Sequence, residues 1–204
     1  MSLFIVFEGC DGSGNTTQSK LLAEFLRGRV YDVLLTKEPT NGAIGKVIRD
    51  VLQKKVKTSP LALQMFFVAD RAYHLQTEIE PALEEGKIVI SDRYMFSTMA
   101  FGGLDVDMDF LKQINSKFRV PDITFVIDAS PEVAMERIRK REAAKQKSGL
   151  VKLEHFEELE KLRRVRENYL KIAKLYPNVH VVDGNRPIEA VAAEVQKIVL
   201  GKLK

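Results

Sequence analysis

Soft metal ligands are scarce in this 204-residue chain, which has one cysteine and three histidines. Cys10 has no second cysteine to pair with, so no internal disulfide staples the fold. His74, His155 and His180 show no ligand-like spacing, which argues against a histidine metal site. Neither a signal-peptide pattern nor an apolar run of membrane-spanning length is present, and with a lone cysteine the expected setting is the reducing cytoplasm, away from the membrane. Low-complexity segments, internal repeats and linkers are missing too. The length suits a single domain, residues 1–204, with enough chain to bury a continuous core. An excess of one charge sign is also lacking: 32 Lys and Arg stand against 28 Asp and Glu, for a net charge of +4. With basic residues interspersed among acidic ones, nucleic acid is not the expected partner, whereas a polyphosphate ligand suits the balance.

What is present begins at Phe4. From there to Gln18 the sequence runs FIVFEGCDGSGNTTQ. A short apolar run ends at Glu8, a glycine-rich turn follows, and Thr16 opens a stretch with Leu21, Leu22, Phe25 and Leu26 at helical spacing. This is the order strand, phosphate loop, helix. Gly9, Gly12 and Gly14 allow the backbone of residues 9–17 (with Cys10, Asp11, Ser13, Asn15, Thr16 and Thr17) to fold into a nest of N–H groups at a helix N-terminus, where phosphate binds. The phosphate-loop pattern is Gly, four residues, Gly, Lys, then Ser or Thr; Gly9, Gly14 and Thr16 satisfy it, but Asn15 stands at the lysine. In such loops the lysine spans the β- and γ-phosphates, so its loss is expected to weaken turnover more than binding.

Farther along, further strands are expected at Tyr31–Leu35, Lys87–Ser91, Ile123–Ile127 and Val179–Val182. Helices are expected at about 43–52 with Ile44, Val47, Ile48 and Val51 on one side, from Ser59-Pro60 past His74, at about 94–101 and 107–118, and after Ser130-Pro131. A basic stretch, Lys140 to Lys152, reads as a mobile loop. A long amphipathic helix over Leu153–Leu175 buries Phe156, Leu159, Leu162, Val165, Tyr169 and Ile172, and the last helix turns Ile188, Val191, Val195 and Ile198 inward. Five buried strands alternating with helices imply a three-layer α/β fold around a parallel sheet. Asp92 and Arg93 fall at a strand's C-terminal end, where open α/β sheets place their sites. Asp92 can hold hydrated Mg²⁺ together with the Thr16 hydroxyl, and Arg93 can fork onto a phosphate; a plain salt bridge is the alternative. Phe67 and Arg71 lie four apart on one helix, which puts a flat ring and a planar donor on one face and suits a pyrimidine; core packing and a surface charge are the alternative.

Taken together, the loop at 9–16, Thr36-Lys-Glu-Pro39, Phe67 to Ala72, Asp92-Arg-Tyr94 with Ser97, Thr98 and Phe101, and the arginines at 137–141 resemble the thymidylate kinases over nearly the whole chain. The resemblance implies a P-loop NTPase-like fold with a five-stranded parallel sheet. It further implies transfer of the γ-phosphoryl group of ATP to dTMP with Mg²⁺, and a homodimer. It places Phe67 on the base and Arg71 on a base carbonyl, with Thr98 and Phe101 closing the pocket. Asp11 then meets the sugar, Lys37 and Arg93 the acceptor phosphate, and Arg137 and Arg141, on a lid of about residues 137–152, the transferred group. Some members carry an arginine inside the phosphate loop where this chain has Gly12. Two alternatives remain: a kinase for another pyrimidine nucleotide or for a nucleoside, the latter needing a base such as Glu8, and a nucleotide-binding protein impaired in catalysis.

Overall fold

The computed structural model describes residues 2–144 and 152–203. Its centre is β1 (Leu3–Glu8), every residue of which is buried. A strand buried throughout and apolar from Leu3 to Phe7 can sit only inside a sheet covered on both faces. Parallel partners flank it on each side: β3 (Ile88–Asp92) and β4 (Ile123–Asp128). Outside these lie β2 (Val33–Lys37) and β5 (Val179–Asp183), giving the order β2-β3-β1-β4-β5. Alternate residues of β1 face opposite layers. Leu3, Ile5 and Phe7 pack with α1 (Asn15–Arg27) and α9 (Ile188–Lys202), whereas Phe4 and Val6 join the core beneath helical segments drawn from residues 75–173. The chain crosses from one side of β1 to the other between β3 and β4. Such a crossover opens a crevice at the C-terminal ends of the strands.

Several boundaries differ from expectation for identifiable reasons. β2 starts at Val33, not Tyr31, because Val30 takes a left-handed conformation (φ 68°) and the Tyr31 amide closes back on the Leu26 carbonyl at 3.2 Å. That turn uses up residues the alternation assigns to the strand. In α2 (Ala43–Leu52) the buried residues are Gly45 and Ile48, while Val47 is exposed. Gly45 sets this face, since a Cβ there would lie 1.9 Å from the Thr40 carbonyl oxygen. Ser59 caps α3 (Pro60–His74) through the Ala62 amide, and a π-helical turn, Leu75–Ile79, leads into α4 (Glu80–Glu84), where Pro81 restarts the helix. After α5 (Met95–Gly102), Asp107 caps α6 (Met108–Asn115), which ends three residues short of the expected 118 in turn bonds from Ser116 and Phe118.

The basic stretch is not wholly a loop. Lys140 to Ala144 continue α7 (Pro131–Ala144), and residues 145–151 lie outside the described residues. In α8 (Lys152–Ala173), Leu162, Val165, Tyr169 and Ile172 are buried and Leu159 packs on the core; the side chain of Phe156 falls outside the described set. Ile188 is exposed rather than inward because it stands at the first turn of α9 and lines a cavity.

Candidate active site

The loop joining β1 to α1 is shaped by its glycines. Gly9, Gly12 and Gly14 have φ of 150°, 80° and 116°, a region other residues enter only with strain. Gly12 is further constrained by α7: a Cβ would lie 2.3 Å from the Ala134 carbonyl oxygen, so no side chain, an arginine included, fits there without displacing the helix. The amides of Gly14, Asn15 and Thr16 donate to no backbone group among the described residues. Together with the N-terminus of α1 they form an anion cradle. Asn15 is buried and closes the loop on itself. Its Nδ2 donates to the Gly9 carbonyl at 3.3 Å and its Oδ1 accepts from the Ser13 hydroxyl at 3.0 Å.

A cavity of about 490 Å³ opens over this loop, lined also by Asp92, Arg93, Arg137 and Arg141. Arg137 turns its guanidinium onto the loop's backbone, donating to the carbonyls of Ser13 (3.0 Å), Gly12 (3.5 Å) and Gly184 (2.9 Å). Thr16 and Asp92 meet at one wall, the hydroxyl donating to the carboxylate at 2.5 Å. This donor set fits Mg²⁺, a hard cation that takes one or two carboxylate or hydroxyl oxygens and completes its shell with water and phosphate. Among the described residues no group of three or more His, Cys, Asp or Glu offers an all-protein metal cage. Cys10 is buried and its thiol is pushed up to about 11, chiefly by burial, which leaves no thiolate to act as a nucleophile.

Beside Asp92, Arg93 adopts φ 75°, a left-handed conformation that directs a long side chain back over the loop. It donates to the Gly9 carbonyl (2.9 Å), Ser97 Oγ (3.1 Å), the Tyr169 hydroxyl (3.2 Å) and Asp11 Oδ1 (2.7 Å). Burial disfavours its charge, but Tyr169 and the carboxylates of Asp11, Glu8 and Asp92 more than offset this, so Arg93 is a permanent cation. Behind it Glu8 is fully buried. Its carboxyl accepts from the Tyr94 and Ser97 amides (2.9 and 3.1 Å) and from the Ser97 and Tyr169 hydroxyls (2.6 and 3.1 Å). Burial pushes it up to about 7 against the opposing pull of Ser97 and Arg93.

A second cavity, about 260 Å³, lies between α3, α5 and α8 and is lined by Asp11, Phe67, Arg93, Ser97, Thr98 and Phe101 among others. The structure thus gathers most of the residues expected at an acceptor pocket. Arg71 is not among its walls. It is 1% exposed and donates to Glu38 Oε2 (2.7 Å), Asn115 Oδ1 (2.5 Å) and Thr98 Oγ1 (3.0 Å), so it reaches the cavity through Thr98. Lys37 is also elsewhere. It lines a third cavity of about 400 Å³, on the other side of the Thr16 and Asp92 pair.

Sequence reasoning missed the buried network behind the 260 Å³ cavity. His74 Nδ1 lies 3.2 Å from Glu38 Oε1, and its Nε2 meets Thr36 Oγ1 at 2.8 Å. Asn115 comes from α6 and Tyr169 from α8. These partners are separated by tens of residues, so no spacing announces them; only the helical interval from Arg71 to His74 hints at a shared face. Lys161 of α8, on the 260 Å³ cavity, and Arg186, on the 490 Å³ cavity, were hidden among the charges of exposed segments.

A probable thymidylate kinase of Pyrococcus horikoshii is 40% identical over 98% of this chain and 97% of its own length. Another, from Pyrobaculum aerophilum, is 41% identical over 96% of this chain and 95% of its own. The crystal structure of thymidylate kinase from Ehrlichia chaffeensis superposes with a TM-score of 0.76 at 34% identity, covering 97% of this chain and 98% of that one. The thymidylate kinase family model matches residues 7–195, and the chain belongs to the thymidylate kinase family.

Proposed function

We propose that the chain carries out its family's reaction, transfer of the γ-phosphoryl group of ATP to dTMP, with a phosphate loop that has lost its lysine. One observation carries this: Asp11 and Arg93 line both the 490 Å³ and the 260 Å³ cavities, so the two open onto one point. A donor phosphate on the loop and an acceptor phosphate beside Phe67 would meet at Arg93, a fixed cation. In-line phosphoryl transfer needs little more than this positioning and neutralisation of charge.

The residues divide by role. Residues 9–17 would bind the ATP phosphates through the backbone, and Arg141, on the cavity wall, would reach the transferred group. Phe67 and Phe101 offer apolar faces to the base, Thr98 a hydroxyl held by Arg71, and Asp11 a carboxylate to the sugar. Thr16 and Asp92 would hold Mg²⁺, which supplies charge to the donor phosphates when bound. No general base is required, because a monophosphate with a second pKa of about 6 is already mostly dianionic at neutral pH. Glu8 would be the base for a nucleoside, but its carboxyl is fully enclosed by four donors and absent from the acceptor cavity walls. That favours a nucleotide acceptor. The neutral Asn15 supports a slow enzyme that still binds nucleotides.

Side-by-side assays with ATP, Mg²⁺ and dTMP, dUMP or thymidine test this. dTMP is expected to exceed dUMP in kcat/KM by roughly 10–200-fold, the range one buried methyl supplies, with thymidine poorest for want of a phosphate at Arg93. Equal rates with dTMP and dUMP would remove the thymine assignment.

The chain acts as one domain in this proposal, in the cytoplasm, as a homodimer. Supporting the dimer, α2, α3 and the segment between them expose Leu52, Val56, Leu61, Met65 and Tyr73, the kind of apolar face that marks a protein interface. Light scattering at micromolar concentration should return twice the chain mass, and a monomer there would reject it.

A further inference from the structure

Resting on the ATP-transfer proposal, we propose that Arg137 is a positioning residue that supplies, through the carbonyl face of the phosphate loop, the positive charge that Asn15 withholds. Asn15 occupies the lysine position yet spends its amide inside the loop, on Gly9 and Ser13. It holds the loop's shape and contributes no charge. Arg137 reaches the same loop from α7 and binds the carbonyl oxygens of Gly12 and Ser13. Each of these carbonyls belongs to a peptide unit whose other end is the N–H of the next residue. The Ser13 carbonyl is thus paired with the Gly14 N–H, one of the cradle amides with no backbone acceptor.

A cation on the oxygen end of a peptide dipole enhances the positive N–H end, which is the end a phosphate meets. The guanidinium therefore acts on bound phosphate twice, as a charge on the cavity wall beside the loop and by polarising the loop's amide. Gly184, the third acceptor, anchors Arg137 from the β5–α9 turn. Arg93 also touches the loop, at Gly9, but it faces the acceptor cavity as well and is committed to Asp11. Arg141, one helical turn beyond Arg137, lines the cavity from an exposed position. Arg137 is thus the cation that puts two of its three contacts on the carbonyls of the phosphate loop.

The rival account is that Arg137 merely staples the loop to the β5–α9 turn. The two separate in a cycle of Arg137→Met, which keeps the aliphatic stem, and Asn15→Lys, on the full chain. ATP affinity with Mg²⁺ and no acceptor is read by calorimetry and turnover by a coupled assay, with Arg137→Lys as the conservative control. If Arg137 replaces the lysine's charge, Arg137→Met alone weakens ATP binding about tenfold and lowers kcat about 10²-fold. Added to Asn15→Lys, the same substitution costs less than about threefold in affinity and less than about tenfold in kcat, and Arg137→Lys stays close to the parent. Equal losses in both backgrounds, or an unchanged ATP affinity in Arg137→Met, overturn the inference. Because the calorimetric arm uses no acceptor, rescue of ATP affinity without any dTMP turnover would uphold this inference while rejecting the acceptor assignment.

Discussion

The proposed donor and acceptor sides of the crevice are built from different materials. The donor cradle is backbone: amides of residues 14–16 at the start of α1, shaped by three glycines at positive φ. The acceptor cavity is side chain, walled by Phe67, Thr98 and Phe101 and backed by a buried ionic network of Glu38, Arg71, His74 and Asn115. A backbone site fails when a single methyl is added. A side-chain site fails when one member of a hydrogen-bonded set is removed.

The acceptor side carries the largest expected effect. Arg71→Ala leaves the Glu38 carboxylate, with its side chain 3% exposed, without its guanidinium partner. Breaking a buried pair from one side costs about 3–5 kcal/mol, so the melting temperature should fall steeply and the KM for dTMP should rise as Thr98 loses its donor. A melting temperature within a degree or two of the parent would show that the network does not hold this side together.

On the donor side, Gly12→Ala combines left-handed strain with a clash against Ala134, together about 2–4 kcal/mol. Here the damage should appear in ATP binding, weakened about 30-fold or more, with dTMP binding preserved. Unchanged ATP affinity would mean that the loop yields easily and that the backbone geometry is not what binds phosphate.

The smallest effect belongs to Glu8, which lies between the two sides. Its carboxyl is raised from 4.5 in the unfolded chain to about 7 by burial. The folded protein therefore holds a proton that the unfolded chain releases. The associated stability is complete below about pH 4.5 and lost as pH rises through about 7. Glu8→Gln cannot titrate, and the Ser97 and Tyr169 hydroxyls can turn to accept from its amide, so it should gain stability relative to the parent between pH 5 and pH 8 in urea unfolding. An identical difference at both pH values would mean that Glu8 is already ionised throughout, held so by its four donors.

These contrasts explain what was legible. The phosphate loop is contiguous, and its glycine spacing follows from backbone stereochemistry, so it could be read residue by residue. Phe67, Thr98 and Phe101 were placed at the acceptor pocket by resemblance, and they do line one cavity. Arg71 and Lys37 do not stand on its walls. Glu38 and Asn115 draw Arg71 into the interior, and Lys37, at the end of β2, falls on the far side of Asp92.

Periodicity likewise named the helices but not always their buried faces. Val47 looked inward by spacing; the close approach at Gly45 turned it out. By itself the sequence determined the parallel α/β sheet, the phosphate loop and its missing lysine, since apolar runs, glycine spacing and residue identity are local properties. Only the tertiary structure decided that Asn15 closes the loop, that Arg137 sits on its carbonyls, and that Glu38, Arg71 and His74 form one network. Those are contacts between groups far apart along the chain, and a buried polar atom takes whichever partner the packing of the sheet and helices brings within reach.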